Sequence, residues 1–155
     1  MKILTDTREQ KPYTFKKYPV QTERATLAAG DYSLAGFQAR VAVERKSLDD
    51  LIGCLTGKDR ERFEKELARA GSYERFAVVS ESDTQDVSAG HYTSNMEPHA
   101  ALQSITAFYI RYGIPFLFCG NRDSAEYVTY SILQKYYYEI EKRFNILRKQ
   151  NHALL

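Results

Sequence analysis

Two acidic side chains and a lysine stand near the ends of apolar segments, in an arrangement that can bind a metal ion. Asp31 follows Gly30, and Glu44 stands thirteen positions later, with Lys46 two residues beyond it. Because side chains two apart on a strand share a face, Glu44 and Lys46 would project together while Arg45 points away. If the strands of Asp31 and Glu44 pair as a hairpin, their carboxylates converge.

Paired carboxylates without a nearby His or Cys form a hard oxygen site, which suits Mg²⁺ or Mn²⁺ better than Zn²⁺. A neighbouring lysine can hold or help deprotonate an attacking water, so the set suits phosphodiester hydrolysis. The alternative is that Glu44 and Lys46 form a solvated ion pair worth about 0–1 kcal/mol. Cys54 and Cys119 lack metal-ligand spacing, so we expect reduced thiols.

The elements around these residues follow from apolar patterning and turn residues. A first strand is predicted from MKIL to near Asp6, a second after the turn at Gly30, and a third over FQARVAVER, with Gly36 near the hairpin. A helix is predicted directly afterwards, with Ser47 as its N-cap and Asp50 three residues later.

The rest of the chain alternates helices and strands. DRERFEKELARAG is predicted as a helix, FAVVSES as a central strand, GHYTSNME as a loop and GIPFLFCG as a buried strand. A helix beginning at Pro98 is predicted to bury Leu102, Ile105, Phe108, Tyr109 and Tyr112. A helix from about Asp123 to Gln150 would be roughly 40 Å long, so we expect its end to project or meet a partner. This order predicts an α/β fold with a mixed sheet and helices on both faces.

The composition is that of one ordinary folded domain. The chain has 155 residues, 43% apolar and 27% charged, without repeats. Its longest apolar run is far short of the roughly 20 residues that a membrane span needs, and the N-terminus lacks a signal-peptide pattern. We therefore expect an intracellular protein of the cytoplasm or nucleoid, neither secreted nor membrane-bound. A net charge of +2 does not by itself indicate nucleic-acid binding.

The pattern as a whole resembles the GDx(n)ERKxxxD signature of XPF-type structure-specific nucleases, which belong to the PD-(D/E)XK superfamily. Gly30 and Asp31 supply GD, and VERKSLDDL at residues 43–51 supplies the second part. TDTRE at residues 5–9 resembles the family's DxRE segment, and FAVVSE resembles its hydrophobic strand ending in an acid. The resemblance covers roughly residues 3–83 and implies a restriction-endonuclease-like mixed central sheet flanked by helices on both faces.

The resemblance implies a role for each residue of the motif. Asp31 and Glu44 would bind Mg²⁺ or Mn²⁺, with the backbone carbonyl of Arg45 as a further ligand. Lys46 would be the catalytic lysine. Asp6 resembles the first-strand acid that lies near the metal and can act through water.

Other residues would support this site. Asp50 completes the motif, and we favour helix capping or indirect support over direct ligation for it. Arg8 resembles a phosphate-facing arginine. For Glu81 we favour an exposed acid at a strand end over a role in the site.

Basic residues beyond the motif are candidates for DNA contacts, each of which would add salt dependence to binding. The first group is Arg8, Lys58, Arg60, Arg62 and Lys65, and the second is Lys142, Arg143, Arg148 and Lys149. Both groups alternate with acids, so a solvated helix face is the alternative. The tyrosines at 136–138 are expected to pack rather than to stack on bases.

The resemblance implies a metal-dependent DNA endonuclease that leaves 5′-phosphate and 3′-hydroxyl ends, acting on branched, flap or fork DNA in repair, recombination or replication. The alternative is a non-catalytic DNA-binding or scaffold subunit that partners an active nuclease. Such degenerate partners usually lack an acid or the lysine, whereas this chain has Asp31, Glu44 and Lys46. A third reading is another PD-(D/E)XK enzyme with similar chemistry but a different substrate.

We expect residues 1–150 to form a single nuclease domain and residues 151–155 to form a frayed tail. Many XPF-type nucleases continue into helix-hairpin-helix modules, which we do not expect in this chain. The protein would then act alone, as a homodimer through its long C-terminal helix, or with a separate DNA-binding partner.

Overall fold

A six-stranded mixed sheet organises residues 1–152, which the computed structural model describes. In chain order the elements are β1 (Lys2–Asp6), β2 (Gln21–Ala25), β3 (Tyr32–Leu34), β4 (Val41–Lys46), α1 (Leu48–Gly53), α2 (Gly57–Ala70), β5 (Arg75–Ser80), α3 (Thr84–Ser88), α4 (Pro98–Tyr112), β6 (Phe116–Phe118) and α5 (Arg122–His152). The strand order is β2-β1-β3-β4-β5-β6. β3 is antiparallel to β1 and β4, and the other pairs are parallel, so the predicted mixed α/β sheet is confirmed.

Two elements were not predicted from the sequence, because they contain few apolar residues. β2 reads QTERA and is an edge strand whose residues are almost all exposed. α3 is five residues long and is held by a capping box between Asp83 and Asp86. The predicted third strand is also too long, because residues 37–40 form the turn before Val41.

Two apolar cores cover opposite faces of the sheet, because neighbouring residues on a strand point in opposite directions. Ala42 packs with Leu51, Phe63, Leu67 and residues of α4 in one core. The other core places the flanking valines of β4 against α5 and against the segment that joins β1 to β2. The side chains of β4 keep alternating between the two faces beyond the cores. Glu44 therefore lies on the α1–α2 side of the sheet and Arg45 on the α5 side.

The helix α4 begins at Pro98, as predicted, and packs on α2. Ile105 and Phe108 are buried, whereas Tyr109 is 50% exposed. The prediction that Tyr109 is buried is therefore wrong. It stands next to Phe108 and so falls outside the stripe that Ile105 and Phe108 define on this helix.

The helix α5 extends well past the sheet. Its 31 residues correspond to about 46 Å, and every residue from Glu141 to His152 is exposed, which confirms the predicted projection. The predicted tail at 151–155 begins inside this helix, and residues 153–155 lie outside the described part of the chain. Despite its length, α5 does not qualify as a membrane span, and neither does any other helix within residues 1–152.

Candidate active site

The β3–β4 hairpin brings Asp31 beside Glu44. Tyr32 is paired with Val43, so the residues next to them, Asp31 and Glu44, meet where the hairpin opens. Asp31 donates its amide to the carbonyl of Val43 at 2.9 Å, and its Oδ2 accepts the amide of Arg45 at 2.8 Å. The predicted hairpin is confirmed, and backbone contacts fix the Asp31 carboxylate.

Lys46 lies beside Glu44, as the strand period predicts. Its Nζ is 2.9 Å from Glu44 Oε1, and the two side chains are only 17% and 9% exposed. The pair is therefore largely buried and not the solvated ion pair of the alternative interpretation. Arg45 points to the opposite face, where Glu9 and Glu81 bind its guanidinium at 3.3 and 3.1 Å.

Burial and like charge act together on the two carboxylates. Burial raises the pKa of Asp31 to about 6, with Glu9 and Glu66 adding to the rise and the Arg45 amide and Lys46 opposing it. Burial and the charge of Asp31 raise the pKa of Glu44, although Lys46 opposes that rise. The positive groups of the protein therefore do not offset the burial and mutual repulsion of the Asp31 and Glu44 carboxylates.

Two surface depressions meet at Asp31, Glu44 and Lys46. The first, here called the acidic cleft, has a volume of about 520 Å³ and separates these residues from Glu66 and neighbouring side chains of α2. The second has a volume of about 710 Å³ and extends towards Arg45 and the beginning of α5. The carboxylates thus face open space large enough for a ligand.

The donor set fits a small hard cation. The like-charged carboxylates of partly buried Asp31 and buried Glu44 can supply oxygen ligands, and a cation between them would offset their repulsion. Within residues 1–152 no three His, Cys, Asp or Glu side chains are grouped as a metal cage. Mg²⁺ commonly takes one or two carboxylates and completes its shell with water and substrate oxygens. Ligation by the Arg45 carbonyl stays a prediction.

Asp6 lies near Asp31, but Arg8 and the backbone occupy its carboxylate. Arg8 Nε donates to Oδ1 and the Leu27 amide to Oδ2, both at 2.8 Å. Burial raises the pKa of Asp6, but these bonds and the charge of Arg8 hold it below its usual value. The Asp6 amide also donates to the Asp31 carbonyl at 2.8 Å. Asp6 thus anchors the backbone of the site, and contact with a metal stays a prediction.

Asp50 contributes its backbone amide to the cap of α1, and not its carboxylate as a capping box requires, and it lines the acidic cleft. Its amide donates to Ser47 Oγ at 3.2 Å, which confirms Ser47 as the N-cap of α1. Asp50 also lines both depressions. Direct ligation by Asp50 is not needed to explain its position.

Glu81 is a largely buried acid that binds several partners, and not an exposed acid. Its side chain is only 16% exposed, and Oε1 accepts from the Tyr13 hydroxyl, Arg45 and Arg122 at 3.0, 3.1 and 3.0 Å. The preferred prediction for this residue is therefore wrong. Tyr13 and Arg122 are distant in sequence from β5, so the local pattern around Glu81 could not show these partners.

The basic residues of α2 separate into different surroundings. Arg62 lines the acidic cleft, and so does Arg69, which the sequence reasoning omitted. Arg60 instead donates to Ser104 at 3.0 Å and lies 4.7 Å over the Phe108 ring, so its predicted DNA contact gives way to packing on α4. Lys58 and Lys65 are exposed but do not line the cleft.

The second basic group lies far along α5. Lys142, Arg143, Arg148 and Lys149 are all exposed on its projecting part. Tyr136 packs as expected, because its hydroxyl donates to Glu74 at 2.7 Å and its ring contacts Phe37 edge-on. Tyr138 is 50% exposed, so the packing prediction is wrong for that residue. This group is separate from the acidic cleft, and its DNA contacts stay a prediction.

Glu66 is the main site residue that sequence reasoning missed. It lines the acidic cleft from α2, and its Oε1 accepts the Gly30 amide at 3.2 Å. Its spacing of three from buried Phe63 places it at the edge of the inner face of α2, which is the one sequence signal that could have found it.

Comparison with known proteins identifies the family of this chain. A family model described as the ERCC4 domain matches residues 5–131, which include both strands of the hairpin and α2. The chain belongs to the ERCC4 domain family. A comparison with curated proteins gave no match.

Solved structures share the fold of this ERCC4 domain protein. XPF from Aeropyrum pernix aligns with a TM-score of 0.71 at 19% identity, covering 96% of this chain and 69% of that one. XPF from Aeropyrum pernix in complex with DNA aligns with a TM-score of 0.64 at 18% identity, covering 89% and 66%. At these identities the likeness concerns the fold alone, a mixed six-stranded α/β sheet shared with XPF.

Proposed function

We propose that this ERCC4 domain protein is a Mg²⁺- or Mn²⁺-dependent DNA endonuclease that hydrolyses phosphodiester bonds. The observation that carries the proposal is the pair of carboxylates, partly buried Asp31 and buried Glu44, with Lys46 2.9 Å from Glu44 and two open depressions beside them. A purely structural ion pair does not need a second, like-charged acid in a buried position.

Asp31 and Glu44 would hold the divalent ion through their carboxylates. When bound, the ion would supply the Lewis acidity that activates water and offsets charge on the phosphate oxygens. The Arg45 amide keeps one Asp31 oxygen in place at 2.8 Å, so the carboxylate is oriented before any ligand arrives. This preorganisation favours a fixed geometry at the scissile phosphate.

Lys46 would act as a charged donor. Burial lowers the pKa of its ammonium, but Glu44, Cys54 and Glu66 together raise it above the usual value, Glu44 most of all. The ammonium can therefore hold the attacking water and stabilise negative charge on a phosphate oxygen. Water adds to phosphorus, the bond to the 3′ oxygen breaks, and this oxygen takes up a proton. The products carry a 5′-phosphate and a 3′-hydroxyl.

The basic residues around the acidic cleft would bind the flanking phosphates. Arg62 and Arg69 line it from α2, and Arg8, whose side chain is 70% exposed, lines both depressions. A DNA-bound XPF of the same fold supports DNA as the substrate. Branched, flap or fork DNA, encountered in repair or recombination, is the substrate class that the family favours. A homodimer or a separate DNA-binding partner would complete recognition.

The test is a cleavage assay on labelled duplex, single-stranded, splayed-arm and flap DNA, with Mg²⁺, Mn²⁺ or EDTA. The proteins are wild type, Asp31→Asn, Glu44→Gln and a control, Asp123→Asn, whose exposed carboxylate pairs with Lys17 at 3.4 Å. We expect cleavage that depends on the metal, is lost in both site variants and is retained in the control.

The outcomes separate the candidate functions. Undiminished cleavage by both site variants would remove the assignment of Asp31 and Glu44. DNA binding without cleavage under any divalent ion would instead favour a non-catalytic scaffold subunit or the need for a partner protein.

A further inference from the structure

Glu66 connects the helical wall of the acidic cleft to the turn that carries Asp31. It lies on α2 and reaches across to the turn before β3, where its Oε1 accepts the Gly30 amide at 3.2 Å. Gly30 immediately precedes Asp31, so the contact acts one peptide away from the proposed cation ligand. This hydrogen bond therefore links α2 to the backbone that carries Asp31.

Gly30 leaves little room for an alternative arrangement. Its φ is +77°, and a Cβ built on it would lie 2.9 Å from Ala42 Cβ and 3.2 Å from the Val43 carbonyl. A side chain at this position would therefore clash with β4. The turn depends on glycine, which is also the residue with the most conformational freedom to lose. Such a turn needs contacts that hold it.

The peptide groups around Asp31 are held from three directions. The Asp31 amide donates to Val43 at 2.9 Å, and its carbonyl accepts from Asp6 at 2.8 Å, so β4 and β1 fix one side. The Gly30 amide is buried with its residue and donates to Glu66. A buried amide that loses its acceptor costs free energy, so removing this carboxylate would let the turn rearrange.

We propose that Glu66 is a positioning residue for Asp31, acting through the Gly30 amide, and is not itself a cation ligand. This inference deepens the proposed function and rests on it where cation binding is concerned. The reach of the side chain matters and its charge does not.

Three substitutions separate reach from charge. Glu66→Gln keeps an oxygen at the same reach and removes the charge, Glu66→Asp keeps the charge and shortens the reach, and Glu66→Ala removes both. Glu61→Ala is the control, because Glu61 is exposed on the same helix. If the aspartate and alanine variants are too unstable to purify, Glu66→Gln still tests whether charge is required.

The readouts are hydrogen exchange of the Gly30 amide in EDTA, Mn²⁺ affinity by calorimetry and the cleavage rate. In Glu66→Ala and Glu66→Asp we expect Gly30 exchange to accelerate about tenfold or more, and Mn²⁺ affinity and cleavage to fall about tenfold. In Glu66→Gln and Glu61→Ala we expect all three within about threefold of wild type, with the global free energy of unfolding measured alongside.

Distinct results would overturn this inference or the function beneath it. Unchanged Gly30 exchange in Glu66→Ala would remove the positioning role. If Glu66→Gln lost Mn²⁺ affinity while its Gly30 amide stayed protected, Glu66 would be a ligand. If wild type neither bound Mn²⁺ nor cut DNA, but exchange followed the expected order, positioning of the turn would stand and the nuclease proposal would fail.

Discussion

The two faces of β4 carry charge in opposite ways. On one face Arg45 and Arg122 meet Glu9 and Glu81 in what we call the balanced network, whose ion pairs span 3.0–3.3 Å. On the other face, Asp31 and Glu44 stand side by side in the acidic cleft, and Lys46 lies 2.9 Å from Glu44. Matched charges can stabilise the fold by themselves, whereas unmatched buried acids need a ligand. The comparison assigns stability to one face and function to the other.

The largest expected effect is on the functional face. Lys46→Met should lower the cleavage rate about 10²- to 10⁴-fold, because the charged donor beside the phosphate is lost. Mn²⁺ affinity should not fall, since removing a positive charge does not disfavour a cation. Single-turnover cleavage and calorimetry measure the two effects, with Lys65→Met, exposed on α2, as the control. A cleavage rate within threefold of wild type would contradict the role of Lys46.

The balanced network should dominate stability. Glu81→Ala should lower the free energy of unfolding by about 3 kcal/mol, because Arg45, only 7% exposed, loses one of its two acidic partners. Asp123→Ala removes an exposed ion pair with Lys17 and should cost at most about 0.5 kcal/mol. Urea unfolding of both variants checks the difference. Equal losses would mean that burial of the network contributes nothing.

Removing an acid from the acidic cleft should raise the free energy of unfolding, whereas removing one from the balanced network lowers it. In EDTA, Asp31→Asn should raise the free energy of unfolding by about 1 kcal/mol, because it removes a buried charge that Glu44 and Glu66 repel. The asparagine oxygen can still accept the Arg45 amide. Saturating Mn²⁺ should stabilise wild type and not the variant. Thermal unfolding with and without Mn²⁺ measures both. If the variant were less stable than wild type in EDTA, Asp31 would not be an unmatched acid and the contrast between the two faces of β4 would fail.

The sequence predicted the functional face better than the balanced network. Glu44 and Lys46 lie on β4, and Asp31 directly precedes β3, its hairpin partner, so strand period and hairpin pairing placed them together. Glu81 and Arg122 are 41 residues apart in the chain. They meet only because β5 ends at the same edge of the sheet at which α5 begins. No local pattern encodes a contact of that kind.

Edge elements and partly buried acids show the same limit. β2 carries almost no apolar residue, so its place beside β1 depends on backbone pairing that side chains do not signal. Glu66 looks like any other charge on α2, and only the Gly30 amide across the acidic cleft distinguishes it. Sequence reasoning therefore recovers cores and motifs, and misses groups whose role depends on a distant backbone atom.

The two faces of α2 repeat the comparison on a smaller scale. Glu64 stands two residues from Glu66 but faces α4, where it accepts from the Tyr112 hydroxyl at 3.0 Å and pairs with Arg60 and Arg111. Burial raises the pKa of Glu64, but the Tyr112 hydroxyl and the two arginines outweigh burial and lower it below 4.5. Glu64 is therefore a balanced acid on the same helix as Glu66, which lines the acidic cleft.

The smallest predicted effect is the pH dependence of Glu64. Because its pKa is lower in the folded than in the unfolded state, its stabilising contribution is present above about pH 4.5 and is lost as the pH falls through the folded pKa. Glu64→Gln should therefore cost up to about 1 kcal/mol near pH 7 and clearly less near pH 3. Urea unfolding at both pH values checks the sign, with Glu61→Gln as the exposed control. A cost that grew on acidification would show that Glu64, like Asp31, is held against repulsion, and the distinction between balanced and unbalanced acids would fail on this helix.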